Sequence, residues 1–283
     1  MPFKKILVAV DGSEYSQIAA DYAFWLAAGL DSQLCGQHVV DPRLVDLFVA
    51  PEFAEELGFG ESIQTAEKVL RALKKVGRVV LDLFSKEAFG RQIKVETFLD
   101  VGYIVEEIVK RAEKHDLLII GHRGRGQQRI PRELMIGSVA ERVAVEAKIP
   151  VLIAESPVRS MEEIVVAFDG SEPARGALLM AERLAKLARC RLTAVTVVPS
   201  KERLAEGKLT VEQGEGVLRE YWPEEVFLIR EGHPAKTLLD YAAERKGLLV
   251  VGAYGFRDRE DNVLGSTTTH AIRRSGSSVL VYR

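Results

Sequence analysis

Apolar residues alternate along this chain between two patterns. Short, mostly apolar runs at Lys5–Val10, Gln33–Val40, Leu117–Ile120 and Val151–Ala154 suit strands buried on both faces. Ile93–Leu99 alternates, as a half-buried strand does. Between these runs the spacing becomes helical. Ile18, Tyr22, Trp25 and Leu26 fall on one face, and Ile104, Ile108 and Ala112 on another. Helices are therefore predicted after Ser13 or Ser16, either of which can cap. Others are predicted over Glu61 to about Ala88, Tyr103–Lys114 and Val139–Ala147.

The pattern then recurs. Ile6–Glu14 reads ILVAVDGSE and Ile164–Glu172 reads IVVAFDGSE, identical at seven of nine positions at an offset of 158. Val39-Val40 pairs with Val197-Val198 at that offset. Ile119–Gly124 pairs with Val250–Gly255, Gly137-Ser138 with Gly265-Ser266, and Pro150–Ile153 with Ser278–Val281. The blocks keep their order, so a whole domain is duplicated, at 1–157 and 158–283. The second half is shorter. Only Pro199–Glu225 separates its second and third strands, which predicts a short helix near Thr210–Tyr221. Alternating strands and helices with buried strands imply an α/β fold with doubly wound parallel sheets.

Composition narrows the function classes. The 283 residues are 47% hydrophobic and 28% charged, with net charge −2, so a phosphate-backbone binder has no support. No apolar run approaches the roughly 20 residues that cross a bilayer. The opening Met-Pro-Phe-Lys-Lys differs from a signal peptide. Cys35 and Cys190 form no CxxC, and both are expected in or beside strands. The expectation is a cytoplasmic protein with reduced thiols.

In open α/β sheets, ligands bind beyond the carboxyl ends of the strands. Three segments converge there in each half: Asp11-Gly12-Ser13 or Asp169-Gly170-Ser171, the end of the second strand, and a glycine-rich stretch after the fourth. In the second half that stretch reads Gly252-x2-Gly255-x9-Gly265-Ser266. Glycines let a backbone approach a ligand closely, and a helix opening at Ser266 offers N–H groups to phosphate. An aspartate after the first strand can accept from a ribose hydroxyl or an adenine amine. Each feature also has a plainer reading. Asp-Gly-Ser is a common strand-to-helix turn, spaced glycines can simply permit turns, and Ser138–Glu141 fits a capping box. His122 and His270 read as solvated loop residues, and no histidine spacing suggests zinc. The apolar stretch Arg43–Gly60 reads as an extension of the following helix, or as a lid or partner surface.

These residues resemble the universal stress protein family in its tandem, two-domain form, in particular its ATP-binding branch. The resemblance rests on VAVDGS and VAFDGS, the glycine ending the fourth strand, and the Gly-x2-Gly-x9-Gly-Ser pattern. It implies two five-stranded, adenine nucleotide α-hydrolase-like domains of strand order 3-2-1-4-5, joined through their fifth strands as an intramolecular pseudo-dimer that can pair again as a homodimer. Carried over by position, Asp169 meets adenosine and Val197 touches adenine through its backbone. Gly252, Gly255, Gly265, Ser266 and Thr267 line the phosphates of ATP, with Mg²⁺ bridging them. The first-half counterparts are Asp11, Val39, Gly121, Gly124, Gly137, Ser138 and Val139. There, 12 residues rather than nine separate Gly124 from Gly137, in a stretch holding Arg125, Arg129 and Arg132. The implied function is nucleotide-dependent stress regulation, with no catalytic pair evident and at most slow ATP hydrolysis. The alternative is a nucleotide-independent protein-interaction module. An adenylating enzyme would need a substrate domain for which two similar domains leave little room.

Overall fold

The computed structural model describes residues 3–49, 66–124, 139–218, 222, 225–255 and 264–283. The first half runs β1 (Lys5–Ala9), α1 (Glu14–Leu30), β2 (Gln33–Val40), α2 (Pro42–Val49), α3 (Ala66–Gly90), β3 (Val95–Val101), α4 (Ile104–Ala112), β4 (Leu117–Gly121), α5 (Val139–Glu146) and β5 (Val151–Ala154). A short turn at Val158–Ser160 leads into the second half. That half runs β6 (Glu163–Ala167), α6 (Glu172–Ala188), β7 (Arg191–Val198), α7 (Leu204–Glu215), β8 (Phe227–Glu231), α8 (Pro234–Glu244), β9 (Gly247–Gly252), α9 (Ser266–Arg274) and β10 (Val279–Tyr282).

All ten strands form one sheet in the order β3-β2-β1-β4-β5-β10-β9-β6-β7-β8. Each half thus has the order 3-2-1-4-5. Every neighbouring pair is parallel except β5 with β10, which is antiparallel and joins the halves. Val279 faces Ile153, Leu280 faces Leu152 and Val281 faces Val151, and all are at most 2% exposed. This seam is therefore core, with each such side chain contributing roughly 1.5–3 kcal/mol by burial.

Polar contacts flank the seam. Ser278 Oγ accepts from the backbone N–H of Glu155 at 3.0 Å and of Ser156 at 3.1 Å. The Tyr22 hydroxyl, buried under β5 and β10, bonds to Ser278 and Ser156. Arg273 pairs with Glu141 at 2.6 Å. Arg283 donates to Ala144 O at 2.7 Å and to Val145 O, where the last turn of α5 leaves carbonyls unpaired.

The expected strands and helices are largely where the apolar pattern puts them, with two shifts. The third strand is Val95–Val101, two residues later than predicted. The helix predicted near Thr210–Tyr221 is instead α7, Leu204–Glu215. It runs through Gly207 and Gly214, which would each weaken an exposed helix by about 1 kcal/mol. Here both are buried, and a Cβ at Gly214 would lie 2.3 Å from the Phe227 ring. The glycines let the helix sit close to the sheet. In the Arg43–Gly60 stretch, Pro42–Val49 forms α2, while 50–60 lies outside the described residues, as does the predicted helical start at Glu61. Among the described residues no helix is long and apolar enough to cross a membrane.

Ser13 caps α1: its hydroxyl accepts from Ser16 N–H at 3.1 Å. Ser13→Ala is expected to cost about 1 kcal/mol, read as a lower urea-unfolding midpoint.

Candidate functional site

The two halves build matching turns beyond their first strands. Gly12 (φ 75°) and Gly170 (φ 82°) adopt the left-handed conformation that favours glycine. Asp11 Oδ1 then accepts from Ser13 N–H at 2.8 Å, and Asp169 Oδ1 from Ser171 N–H at 2.9 Å. Each aspartate's other oxygen faces the glycine loop. A Cβ on Gly124 would lie 3.1 Å from Asp11 Oδ2, and one on Gly255 would lie 2.9 Å from Asp169 Oδ2. These two glycines keep the aspartate and the loop in close approach.

Gly121 and Gly252, which end β4 and β9, have a second duty. A Cβ at Gly252 would lie 2.8 Å from Pro173 Cβ and 3.1 Å from the Pro173 carbonyl carbon. At Gly121 it would lie 2.7 Å from the Tyr15 carbonyl carbon. Both glycines border a crevice, yet the first turn of α1 or α6 fills the space where a side chain would go.

In the second half, Gly265 N–H donates to Ala253 O at 2.9 Å, and Thr268 Oγ1 donates to Gly252 O at 2.7 Å. These bonds fix the start of α9 against the end of β9. Ser266 and Thr267 occupy its first turn, where helical N–H groups lack a carbonyl one turn back. Asp169, Val197, Gly252, Gly255, Gly265, Ser266 and Thr267 all line one crevice of about 460 Å³. Its outer wall carries Arg203, Glu206 and Thr210 from the start of α7 and the turn before it.

The first-half crevice holds about 450 Å³ and brings together Asp11, Val39, Gly121, Gly124 and Val139, which opens α5. Gly137, Ser138, Arg125, Arg129 and Arg132 lie outside the described residues. The walls differ from those of the second half. Leu44 of α2 and Leu73 and Val76 of α3 stand on the side where the second half carries Arg203, Glu206 and Thr210. Arg43 pairs with Asp41 and anchors α2, and this hydrogen-bonded guanidinium holds the Asp41 carboxyl below the usual carboxylate range.

Three side chains depart from what sequence suggests or go unnoticed there. His122 is not solvated: it is 7% exposed, its Nδ1 lies 3.0 Å from Glu155 Oε2, and its Nε2 lies 2.9 Å from Ile272 O in the other half. A carbonyl only accepts, so Nε2 carries hydrogen. The loop turns this ring inward, whereas His270 is exposed as expected, but on α9 rather than in a loop. Gln37 lines the first-half crevice at the repeat position where Val195 lines the other. His38 stands where the second half has Thr196, and both bond the carbonyl closing the first strand: Nδ1 to Val10 O at 2.7 Å, Oγ1 to Phe168 O at 2.9 Å. The signal for Gln37 and His38 is a polar residue inside an apolar run, whereas His122 follows its strand and carries no such signal. Cys35 is buried in β2, and Cys190 precedes β7. Among the described residues, no group of three or more His, Cys, Asp or Glu is placed to hold a metal ion.

Comparison with known proteins agrees with this architecture. Universal stress protein Slr1230 of Synechocystis is 23% identical over 99% of this chain and 100% of its own length. Universal stress protein MJ0531 of Methanocaldococcus jannaschii is 34% identical over 55% of this chain and 84% of its own. The crystal structure of a universal stress protein from Archaeoglobus fulgidus superposes with a TM-score of 0.72, covering 99% of this chain and 96% of that one at 22% identity, so it shares the fold. The family model described as "Universal stress protein family" matches residues 2–155 and again 161–283. With both halves matched and strands in the same order in each, the chain belongs to the universal stress protein family, carrying two copies of its domain in tandem.

Proposed function

We propose that this is a cytoplasmic stress-response or regulatory protein that binds ATP in its C-terminal crevice. The observation that carries this reading is the convergence of Asp169, the backbone edge at Val197, the glycine pair Gly252 and Gly255, and the open first turn of α9 on one crevice. The donor set fits the ligand. A carboxylate suits ribose or the adenine amine, and unpaired N–H groups with the Ser266 and Thr267 hydroxyls suit phosphate oxygens. Gly255 leaves the Asp169 carboxylate undisturbed, and Gly265 starts the helix without a side chain over its amides. Mg²⁺ would be held by the phosphates. The output is a ligand-dependent change in conformation or partner choice, with ATP hydrolysis at most slow.

Calorimetric titration of ATP into the full chain tests this. Saturable binding is expected, and Gly255→Val is expected to weaken it at least tenfold, because its Cβ forces Asp169 aside. Unchanged affinity in that variant removes the loop from the site. The absence of binding instead favours a nucleotide-independent interaction module, for which the exposed Val79 and Leu83 on α3 supply an apolar surface.

A further inference from the structure

We propose that Arg203 and Glu206 act as a charge-exchange pair on the C-terminal crevice. Glu206 holds the Arg203 guanidinium until a nucleotide phosphate takes its place, so the pair sets how far this site prefers a polyphosphate ligand to a bare nucleoside. The proposal deepens the ATP-binding reading of that crevice and rests on it.

The charge of the lining is the first observation. Among the described residues that line this crevice, Asp169 and Glu206 are acidic and Arg203 is the one basic side chain. A polyphosphate brings several more negative charges to that setting. The first turn of α9 answers them with hydroxyls and amides, which carry only partial positive charge. Arg203 supplies a full charge, on a planar guanidinium that can meet two phosphate oxygens at once. It follows β7, whereas the start of α9 is fixed to the end of β9. Only β6 separates those two strands, so their ends lie about 10 Å apart. An arginine side chain and a triphosphate together cover that span.

The second observation is that Arg203 serves the fold poorly where it stands. It is the N-cap residue of α7 and makes no side-chain capping bond. A cation at that end opposes the helix dipole. Its pair with Glu206 spans three residues, and the two side chains are 56% and 58% exposed. Exposed pairs of this kind contribute little to stability, so the guanidinium exchanges readily for another anion. Nor does the domain need charge at this place, since the first half builds the same wall from Leu44, Leu73 and Val76. Glu206 opposes phosphate twice. It competes for Arg203, and once the guanidinium has turned, its carboxylate faces the same anion.

Calorimetric titration of ATP and of adenosine into the full chain and three variants, at one ionic strength, separates charge from shape. Both side chains are more than half exposed, so the substitutions leave the core intact. In Arg203→Gln, ATP is expected to bind about five-fold more weakly or worse, with adenosine within about two-fold of the unaltered protein. Arg203→Lys keeps the charge without the fork and should fall between. Glu206→Gln should bind ATP about three-fold more tightly, with adenosine again unchanged. Equal loss of ATP and adenosine in Arg203→Gln would mean that this side chain shapes the crevice without reading charge. Weaker ATP binding by Glu206→Gln would make Glu206 a ligand contact in its own right. Either result overturns the proposal. Undiminished ATP binding by Arg203→Gln overturns it and leaves the ATP reading standing, whereas no ATP binding by the unaltered protein removes both.

Discussion

Gly252→Val and Gly121→Val are each expected to destabilise the protein by about 3 kcal/mol, seen as a large drop in urea-unfolding midpoint. The reason is backbone crowding. The valine Cβ would meet the Pro173 carbonyl carbon at 3.1 Å in one case and the Tyr15 carbonyl carbon at 2.7 Å in the other. A helix backbone cannot rotate away as a side chain can, so α6 or α1 must lift from the sheet. Among the described residues, Gly255→Val meets only the outer end of the Asp169 side chain, and it should cost far less stability while weakening nucleotide binding. Two glycines three residues apart would thus separate into one that holds the fold and one that serves the ligand. Similar destabilisation by both substitutions would contradict that division.

Stability should also fall steeply in alkali, and Tyr22 should account for about 3 kcal/mol of the fall. Burial pushes its hydroxyl up to about 12, against a partial pull downward from its hydrogen bonds to Ser278 and Ser156. The unfolded chain gives up this proton near pH 10, about two units earlier. The contribution is therefore complete below pH 10 and is lost as pH rises towards 12. Tyr22→Phe cannot ionise. It should lose about 1 kcal/mol at pH 8 with its hydrogen bonds, yet decline less between pH 10 and 12. Urea unfolding of both proteins at pH 8, 10 and 11.5 measures the difference. Parallel curves would mean that the Tyr22 phenol ionises alike in folded and unfolded chains.

The repeat carried most of the architecture. The apolar runs Gln33–Val40 and Val151–Ala154 predict strands by themselves, and both match β2 and β5 residue for residue. Local signals served less well where distant contacts decide. Gly207 and Gly214 argue against a helix until Phe227 and Val198 are seen to need the room. His122 reads as a loop residue because its partners, Glu155 and Ile272 O, are distant in the chain. Asp169, Gly252, Gly255, Gly265 and Ser266 are legible because each is tied to backbone geometry that sequence encodes, a turn, a glycine or a helix start, whereas Val197 and Thr267 enter only through the family resemblance. The apolar character of the first crevice is not legible, since its walls come from α2 and α3, whose packing no spacing rule supplies. Setting Gln37 against Val195 would have revealed its floor.

The position of β10 has a consequence for how the chain is made. It is the last of these ten strands in chain order but sits in the middle of the sheet. During synthesis the N-terminal domain can finish its own five strands and then wait, with β5 offering an unpaired edge, until the whole second domain has emerged. At about 5–20 residues per second that interval is on the order of ten seconds. A nascent neighbour on the same message displays the same edge during that time, and mispairing between the two would give a swapped dimer. Ribosome spacing, and not only equilibrium stability, therefore bears on how much of this protein pairs β5 with its own β10.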